Sequence, residues 1–299
     1  MRDRVKIIVN PVSGKGKALR LAAGVADALK ALGCGVDVQQ TRKGGDARLL
    51  AADCAGVSAV AATGGDGTVN EVLNGLPLDH PPALAMLPSG TANVLAKELR
   101  LPRRPDALAR VVGEGKEARW DLGVERVGGR RFLLFASAGY DAHVVHIFHA
   151  ARTGPIAMWQ YLWWGLKSIL TYDVPKIAVE IDGQSVAEEA AWVIVSQVST
   201  YGGPLVFTPD AKPGRGSFEV LLQRGRGRWG VVRMFRTAFF AWLFGRRCRL
   251  SDVSFHAGKR VRLRSADGRP VPLQVDGDPG GHLPADLDLV PGAIRVATP

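Results

Sequence analysis

The stretch Gly64-Gly65-Asp66-Gly67-Thr68-Val69-Asn70-Glu71-Val72-Leu73-Asn74-Gly75-Leu76 decides how the chain is read. Directly before it, residues 58–63 (Ser-Ala-Val-Ala-Ala-Thr) have the makeup of a short buried strand. Directly after the glycines, Val69, Val72, Leu73 and Leu76 recur at the spacing of one helix face. A glycine-rich turn from a strand end into a helix start is an anion site. The glycines admit phosphate oxygens close to the backbone, and the first N–H groups of the helix point at them. Ordinary packing in an α/β sheet uses the same turn. Asp66 separates the two readings, because a tight turn has no need of a carboxylate between glycines. A metal held against phosphate does.

Composition sets the outer limits. The chain has 299 residues, 46% hydrophobic and 22% charged, which is enough for two cores. Its net charge of +11 favours anionic partners: nucleotide phosphates, acidic lipid headgroups or nucleic acid. Cys34, Cys54 and Cys248 have neither paired nor metal-ligand spacing, which suits a reducing compartment. The start Met1-Arg2-Asp3-Arg4 and the short apolar run after it do not make a signal peptide. No apolar run approaches the roughly 18 residues of a membrane span. A cytoplasmic protein is expected.

Residues 1–122 alternate strand and helix. Strands are expected at 5–9, 36–38, 58–62 and 83–87, and helices at 17–32, 46–54, 92–99 and 106–112. Single helices between strands imply parallel pairing and a three-layer α/β domain. Ligands in such sheets lie beyond the carboxyl ends of the strands. Segments 10–17, 41–46, 64–68 and 88–93 stand there, all with small, hydroxyl or amide residues. Residues 123–290 change character. Strand-like runs at 131–136, 177–181, 192–196, 218–222, 253–256, 261–263 and 273–275 are separated by turn signals, Asp182-Gly183, Asp267-Gly268 and Asp276-Gly277 among them. An antiparallel β-sandwich with helical insertions at 155–171 and 228–245 is expected.

Three ordered motifs, Asn10-Pro11-Val12-Ser13-Gly14-Lys15-Gly16, Gly64-Gly65-Asp66-Gly67-Thr68-Val69-Asn70-Glu71-Val72 and Pro88-Ser89-Gly90-Thr91-Ala92-Asn93, resemble the diacylglycerol kinase catalytic family. That family includes bacterial lipid kinases and the sphingosine and ceramide kinases. Ala138-Gly139-Tyr140-Asp141-Ala142, Gly202-Gly203-Pro204, Thr208-Pro209-Asp210-Ala211 and Val275-Asp276-Gly277-Asp278 extend the resemblance over nearly the whole chain. It implies ATP-dependent phosphorylation of a lipid hydroxyl, with a terminal strand at 291–299 returning to the first domain and relatives that form dimers. A Walker pattern is absent: Pro11 and Ala18 stand where glycine and a hydroxyl residue are required. NAD kinase is similar around Gly-Gly-Asp-Gly-Thr, but its second motif carries an asparagine-aspartate pair where this chain has Pro-Ser-Gly-Thr-Ala-Asn. A kinase of NAD or a polyol, or a non-catalytic nucleotide- or membrane-binding module, are the alternatives.

Phosphoryl transfer needs charge neutralisation, an in-line acceptor and a destination for the hydroxyl proton. Gly64, Gly65 and Gly67 would bring amides to the phosphates, Thr68 a hydroxyl, and Asp66 would organise the loop or the catalytic magnesium. Ser89, Gly90 and Thr91 offer a second set of donors, or simply cap the following helix. Asn10, Ser13 and Thr41 are similar to the family's nucleotide contacts. Asp276-Gly277-Asp278 resembles the family's Asp-Gly-Glu, which makes Asp276 the general base, with Asp278 one methylene short of the usual glutamate; a plain Asp-Gly turn is the bland alternative. Where bacterial relatives carry an aspartate that helps hold a structural magnesium, this chain has Arg215, which cannot ligate metal.

Residues 154–170 hold Trp159, Tyr161, Trp163 and Trp164. Residues 228–249 interleave Trp229, Phe235, Phe239, Phe240, Trp242 and Phe244 with Arg228, Arg233, Arg236, Arg246, Arg247 and Arg249. Such mixtures suit an anionic bilayer surface, a buried packing helix or a subunit contact. No nucleic-acid-binding module surrounds them. His143, His146 and His149 recur every three residues with no sequence neighbour to complete a metal site, and read as a helix face.

Overall fold

The computed structural model describes residues 2–151, 158–201, 205–225, 227–243 and 250–299. The chain forms two compact units, Met1–Trp120 with Gly292–Pro299, and Asp121–Pro291. The Gly202-Gly203-Pro204 motif, Phe244, Arg246, Arg247, Cys248 and Arg249, and the side chains of Trp159, Tyr161 and Trp242, lie outside the described residues.

The first unit runs β1 (Arg4–Val9), α1 (Lys17–Ala31), β2 (Gly35–Gln40), α2 (Asp46–Ala52), β3 (Ala59–Gly64), α3 (Asp66–Gly75), β4 (Ala83–Pro88), α4 (Val94–Glu98) and α5 (Pro105–Gly113). Strand β1 pairs in parallel with β2 and β3, and β3 with β4. Every residue of β3 is buried, as helices on both faces require. Helix α1 places Ala18, Ala22, Val25, Ala26 and Leu29 on one stripe against Val5, Ile7 and Val9, and α5 adds Leu108, Ala109 and Val112. Pro105 stands in the first turn of α5, where its missing N–H costs nothing. Helix α4 is shorter than the sequence suggests: it starts at Val94 rather than near residue 92, behind Asn93 in the left-handed region.

Within β5 (Lys116–Glu125) the chain passes to the second unit. There follow β6 (Arg130–Phe132), β7 (Phe135–Ala138), α6 (Tyr140–Ala151), α7 (Met158–Thr171), β8 (Ile177–Ile181), β9 (Gln184–Ser196), β10 (Thr200–Tyr201), β11 (Leu205–Val206), β12 (Phe218–Arg224), α8 (Gly227–Leu243), β13 (Val253–Gly258), β14 (Arg260–Ser265), β15 (Pro272–Val275), β16 (Asp278–His282) and β17 (Ala285–Thr298). The long β9 pairs with β8 through its first half and with both β7 and β12 through its second. Its alternation separates two cores: Val193 and Val195 face the sandwich interior, while Trp192 and Ile194 join an aromatic cluster with Tyr140, Phe207 and Met234. The β5 and β6 pairing is antiparallel, as are those of β12 with β13 and β9, β14 with β17 and β8, β15 with β16 and β7, and β9 with β7 and β8. Strand β17 ends back in the first unit, where Val296 pairs in parallel with Leu84 of β4.

One expected strand, 131–136, is broken into β6 and β7. The break has a cause: the N–H groups of Leu133, Leu134 and Phe135 turn to the Asp276 carboxylate.

Candidate active site

In the first unit the ends of β1, β3 and β4 meet. Ser89 and Gly90 donate N–H groups to Gly64 O at 2.9 and 3.2 Å, which folds the β4 tip onto the β3 tip. Gly90 is obligatory there, since a Cβ on it would stand 2.4 Å from the Gly65 Cα. Gly64 is equally constrained: a Cβ would fall 2.2 Å from Thr68 Oγ1. Thr68 Oγ1 accepts from Asn10 Nδ2 at 3.3 Å, and Ser89 Oγ meets Ser13 Oγ at 3.0 Å. Asn10, Ser13, Gly64, Gly65, Thr68, Ser89 and Gly90 therefore form one surface. Gly67 lies in the first turn of α3, at the positive end of its dipole. Thr41 directly follows β2; its N–H donates to Val9 O at 2.9 Å and its side chain is buried. Thr91 is exposed beside Gly90.

Asp66 spans two motifs. Its carboxylate accepts the N–H groups of Val94 at 3.0 Å and Leu95 at 3.1 Å, so it caps α4 from a different helix. Asn93 stands at the N-cap of α4 itself, and its side chain makes no capping hydrogen bond. Burial pushes the Asp66 carboxyl above its ordinary value, and the two N–H bonds oppose that. Asn93 supplies a contact that the sequence reading passed over: its Nδ2 donates to Gly90 O at 2.9 Å while its φ is +47°. Asparagine's tolerance of left-handed backbone was the available signal.

In the second unit Asp276-Gly277 is a two-residue hairpin loop between β15 and β16, with Val275 paired to Asp278. Both loop residues have positive φ, +49° and +84°. Those angles are the signature of a type I′ turn, which matches strand twist. Asp276 is 7% exposed. Its Oδ1 accepts from Leu134 and Phe135 at 2.9 and 3.0 Å, and its Oδ2 from Leu133 at 3.0 Å. Asp278 is half-buried and engages other groups: Arg130 Nη2 at 3.1 Å and His149 Nε2 at 3.4 Å. The histidine face on α6 also gains an acidic neighbour in Asp278, hidden from the sequence because it lies 129 residues beyond His149. Among the described residues no cluster of His, Cys, Asp and Glu is arranged to hold a metal by itself.

Residues 4–124 match the diacylglycerol kinase catalytic domain, and residues 135–298 match the YegS C-terminal NAD kinase beta sandwich-like domain. The diacylglycerol kinase of Mycobacterium tuberculosis (strain ATCC 25618 / H37Rv) is 30% identical over 99% of this chain and 95% of its own. That of Bacillus subtilis (strain 168) is 28% identical over 99% of this chain and 96% of its own. A crystal structure of a diacylglycerol kinase from Bacillus anthracis str. Sterne aligns with a TM-score of 0.75 at 21% identity, covering 100% of this chain and 97% of that one. A second crystal structure from that organism reaches 0.80 at 22%, covering 100% and 98%. At such identities the structures speak for the fold. The two domain matches, in order along nearly the whole length, speak for more: the chain belongs to the diacylglycerol kinase family of phosphotransferases that act on an alcohol group.

Proposed function

We propose that the protein transfers the γ-phosphoryl group of ATP, with magnesium, to a free hydroxyl of diacylglycerol or a related lipid at an anionic membrane surface. The observation that carries this reading is the contact between the β3 and β4 tips, where only glycines let two backbones touch and Asp66 fastens both motifs. Backbone N–H groups and small hydroxyls gathered at strand ends are what a polyphosphate needs. Asn10, Ser13, Thr41, Gly64, Gly65, Gly67, Thr68, Ser89, Gly90 and Thr91 bind and orient the nucleotide. The donor set fits magnesium: each Asp66 carboxylate oxygen accepts one of the two α4 N–H groups and a carboxylate has further lone pairs. Thr63 Oγ1 and Asn93 Oδ1 are buried oxygens with no hydrogen-bond partner among the described residues. The ion, when bound, supplies neutralisation of the charge on the transferred group. Arg215 donates to Asp210 O at 2.7 Å, which suits a guanidinium standing in for a second, structural cation.

Asp276 accepts the proton of the attacking hydroxyl. Its three N–H donors favour a second reading, in which Asp276 holds the turn and the more accessible Asp278, beside His149, takes the proton.

Among the described residues no helix is long and apolar enough to cross a membrane. Helix α8 is two-sided. Val231, Met234 and Ala238 enter the aromatic core, whereas Trp229 (80% exposed), Arg236, Phe239, Phe240 and Leu243 lie on the opposite face. With a net charge of +11, that face suits the headgroup region of an acidic bilayer.

The test offers γ-labelled ATP and magnesium together with mixed vesicles containing diacylglycerol, and NAD as a soluble competitor. Label in the lipid phase is expected, and label in NADP alone overturns the reading. Trp229→Ala/Phe240→Ala should loosen binding to acidic vesicles severalfold while phosphorylation of detergent-dispersed lipid persists. Unchanged vesicle binding removes α8 as the docking face.

A further inference from the structure

The turn that presents Asp276 and Asp278 is not held by its own strands alone. Gly277 N donates to Gln274 Oε1 at 2.8 Å. Gln274 Nε2 donates to Ser137 Oγ at 2.7 Å, and the Ser137 hydroxyl donates to Asp141 Oδ2. Asp141 also receives Trp192 Nε1 at 2.7 Å and the Tyr201 hydroxyl, with Gln274 Nε2 at 3.4 Å. Every donor in this chain points towards Asp141, which stands in the first turn of α6. Its polarity is forced. If the Gln274 amide were reversed, its Nε2 would face the Gly277 N–H, donor against donor.

Gln274 is fully buried and Asp141 nearly so, next to the aromatic cluster around Trp192 and Phe207. An ionised carboxyl placed there is costly, and apolar residues would pack the site at no such cost. Burial indeed pushes the Asp141 carboxyl up to about 6, against the pull of its donors. What the carboxylate provides is direction for the donors that end on it.

We infer that Asp141 is a positioning residue for the acidic turn: through Ser137 and Gln274 it fixes the Gly277 N–H, and with it the stance of the Asp276 and Asp278 carboxylates. The inference rests on the proposal that this turn serves phosphoryl transfer. Gln274→Glu keeps an acceptor for Gly277 but sets a carboxylate against Asp141. Turnover should fall at least tenfold with the KM for ATP unchanged. Adding Asp141→Asn restores a donor opposite residue 274, and turnover should return to within threefold of the parent. A role confined to stability would shift unfolding without this loss and rescue in kcat.

Parent-level turnover in folded Gln274→Glu, or a folded double variant no better than the single one, overturns the inference. Amide hydrogen exchange on the unaltered chain is independent of any variant's folding. The Gly277 amide should be protected, and free exchange there also overturns it. The underlying proposal fails separately. If Asp276→Asn and Asp278→Asn both keep full turnover, the turn has no chemical role, while Gly277 exchange and its loosening in Gln274→Glu still report on the positioning.

Discussion

Two Asp-Gly hairpins in the second unit share the same pair of positive φ angles. Asp182-Gly183 joins β8 to β9 with φ of +48° and +83°, and Asp276-Gly277 joins β15 to β16 with +49° and +84°. Even the side chains do the same first thing. Asp182 accepts the N–H groups of Lys259 and Arg260, and Asp276 those of Leu133, Leu134 and Phe135. The difference is in what surrounds them. Asp182 is exposed and followed by Gln184 and Ser185, whereas Asp276 is buried and followed by Asp278 with Arg130 and His149. The turn chemistry is generic, and the role proposed for Asp276 depends on neighbours that come from far along the chain.

The largest expected effect breaks this pair apart. Asp276→Asn should lower lipid phosphorylation by about a hundredfold or more, the range for a lost proton acceptor, and Asp182→Asn should leave it unchanged. Equal, small losses in both would reduce Asp276 to a turn residue, as a side-by-side rate measurement would show. Asp276→Asn should also cost about 2 kcal/mol of stability, because one amide oxygen replaces two charged acceptors for three buried N–H groups. Asp278→Asn sharpens the comparison. On the main reading turnover drops about tenfold, through the lost Arg130 and His149 contacts. A larger drop than that of Asp276→Asn would move the proton-accepting role to Asp278.

A smaller effect appears in stability against pH. Asp141 has its carboxyl raised by burial from 3.8 to about 6. A raised acid adds stability that is complete below its unfolded value and is lost as pH rises through the folded one. Urea unfolding at pH 4.5 and 7.5 should show about 2 kcal/mol of this loss in the parent, absent in Asp141→Asn. Identical slopes in the two chains would mean that Asp141 is not the group titrating.

The proposed nucleotide side was legible because its chemistry is local and mostly backbone. Gly64, Gly65, Gly67 and Gly90 announce close approach in any sequence, and alternating strands and helices locate their tips. What could not be read was the partner of Asp66, since a carboxylate capping a helix 28 residues away leaves no periodic trace. The acidic turn shows the same limit more strongly. Asp276-Gly277 reads plainly as a hairpin, yet its partners at 130–149 approach only once β7, α6 and β15 have assembled. The interruption between β6 and β7 belongs to that class: Phe132-Leu133-Leu134-Phe135 has every property of a continuous strand until a distant carboxylate claims its N–H groups. For α8 the sequence left a bilayer surface, a packing helix and a subunit contact open, and only packing separates buried Val231, Met234 and Ala238 from exposed Trp229, Phe239 and Phe240.

The most direct test of the division of labour is titration of magnesium-ATP into two variants. Asp276→Asn should bind it with the affinity of the parent, and Gly90→Ala, whose Cβ would stand 2.4 Å from the Gly65 Cα, should lose at least tenfold. Loss of binding in Asp276→Asn together with retention in Gly90→Ala would contradict the account.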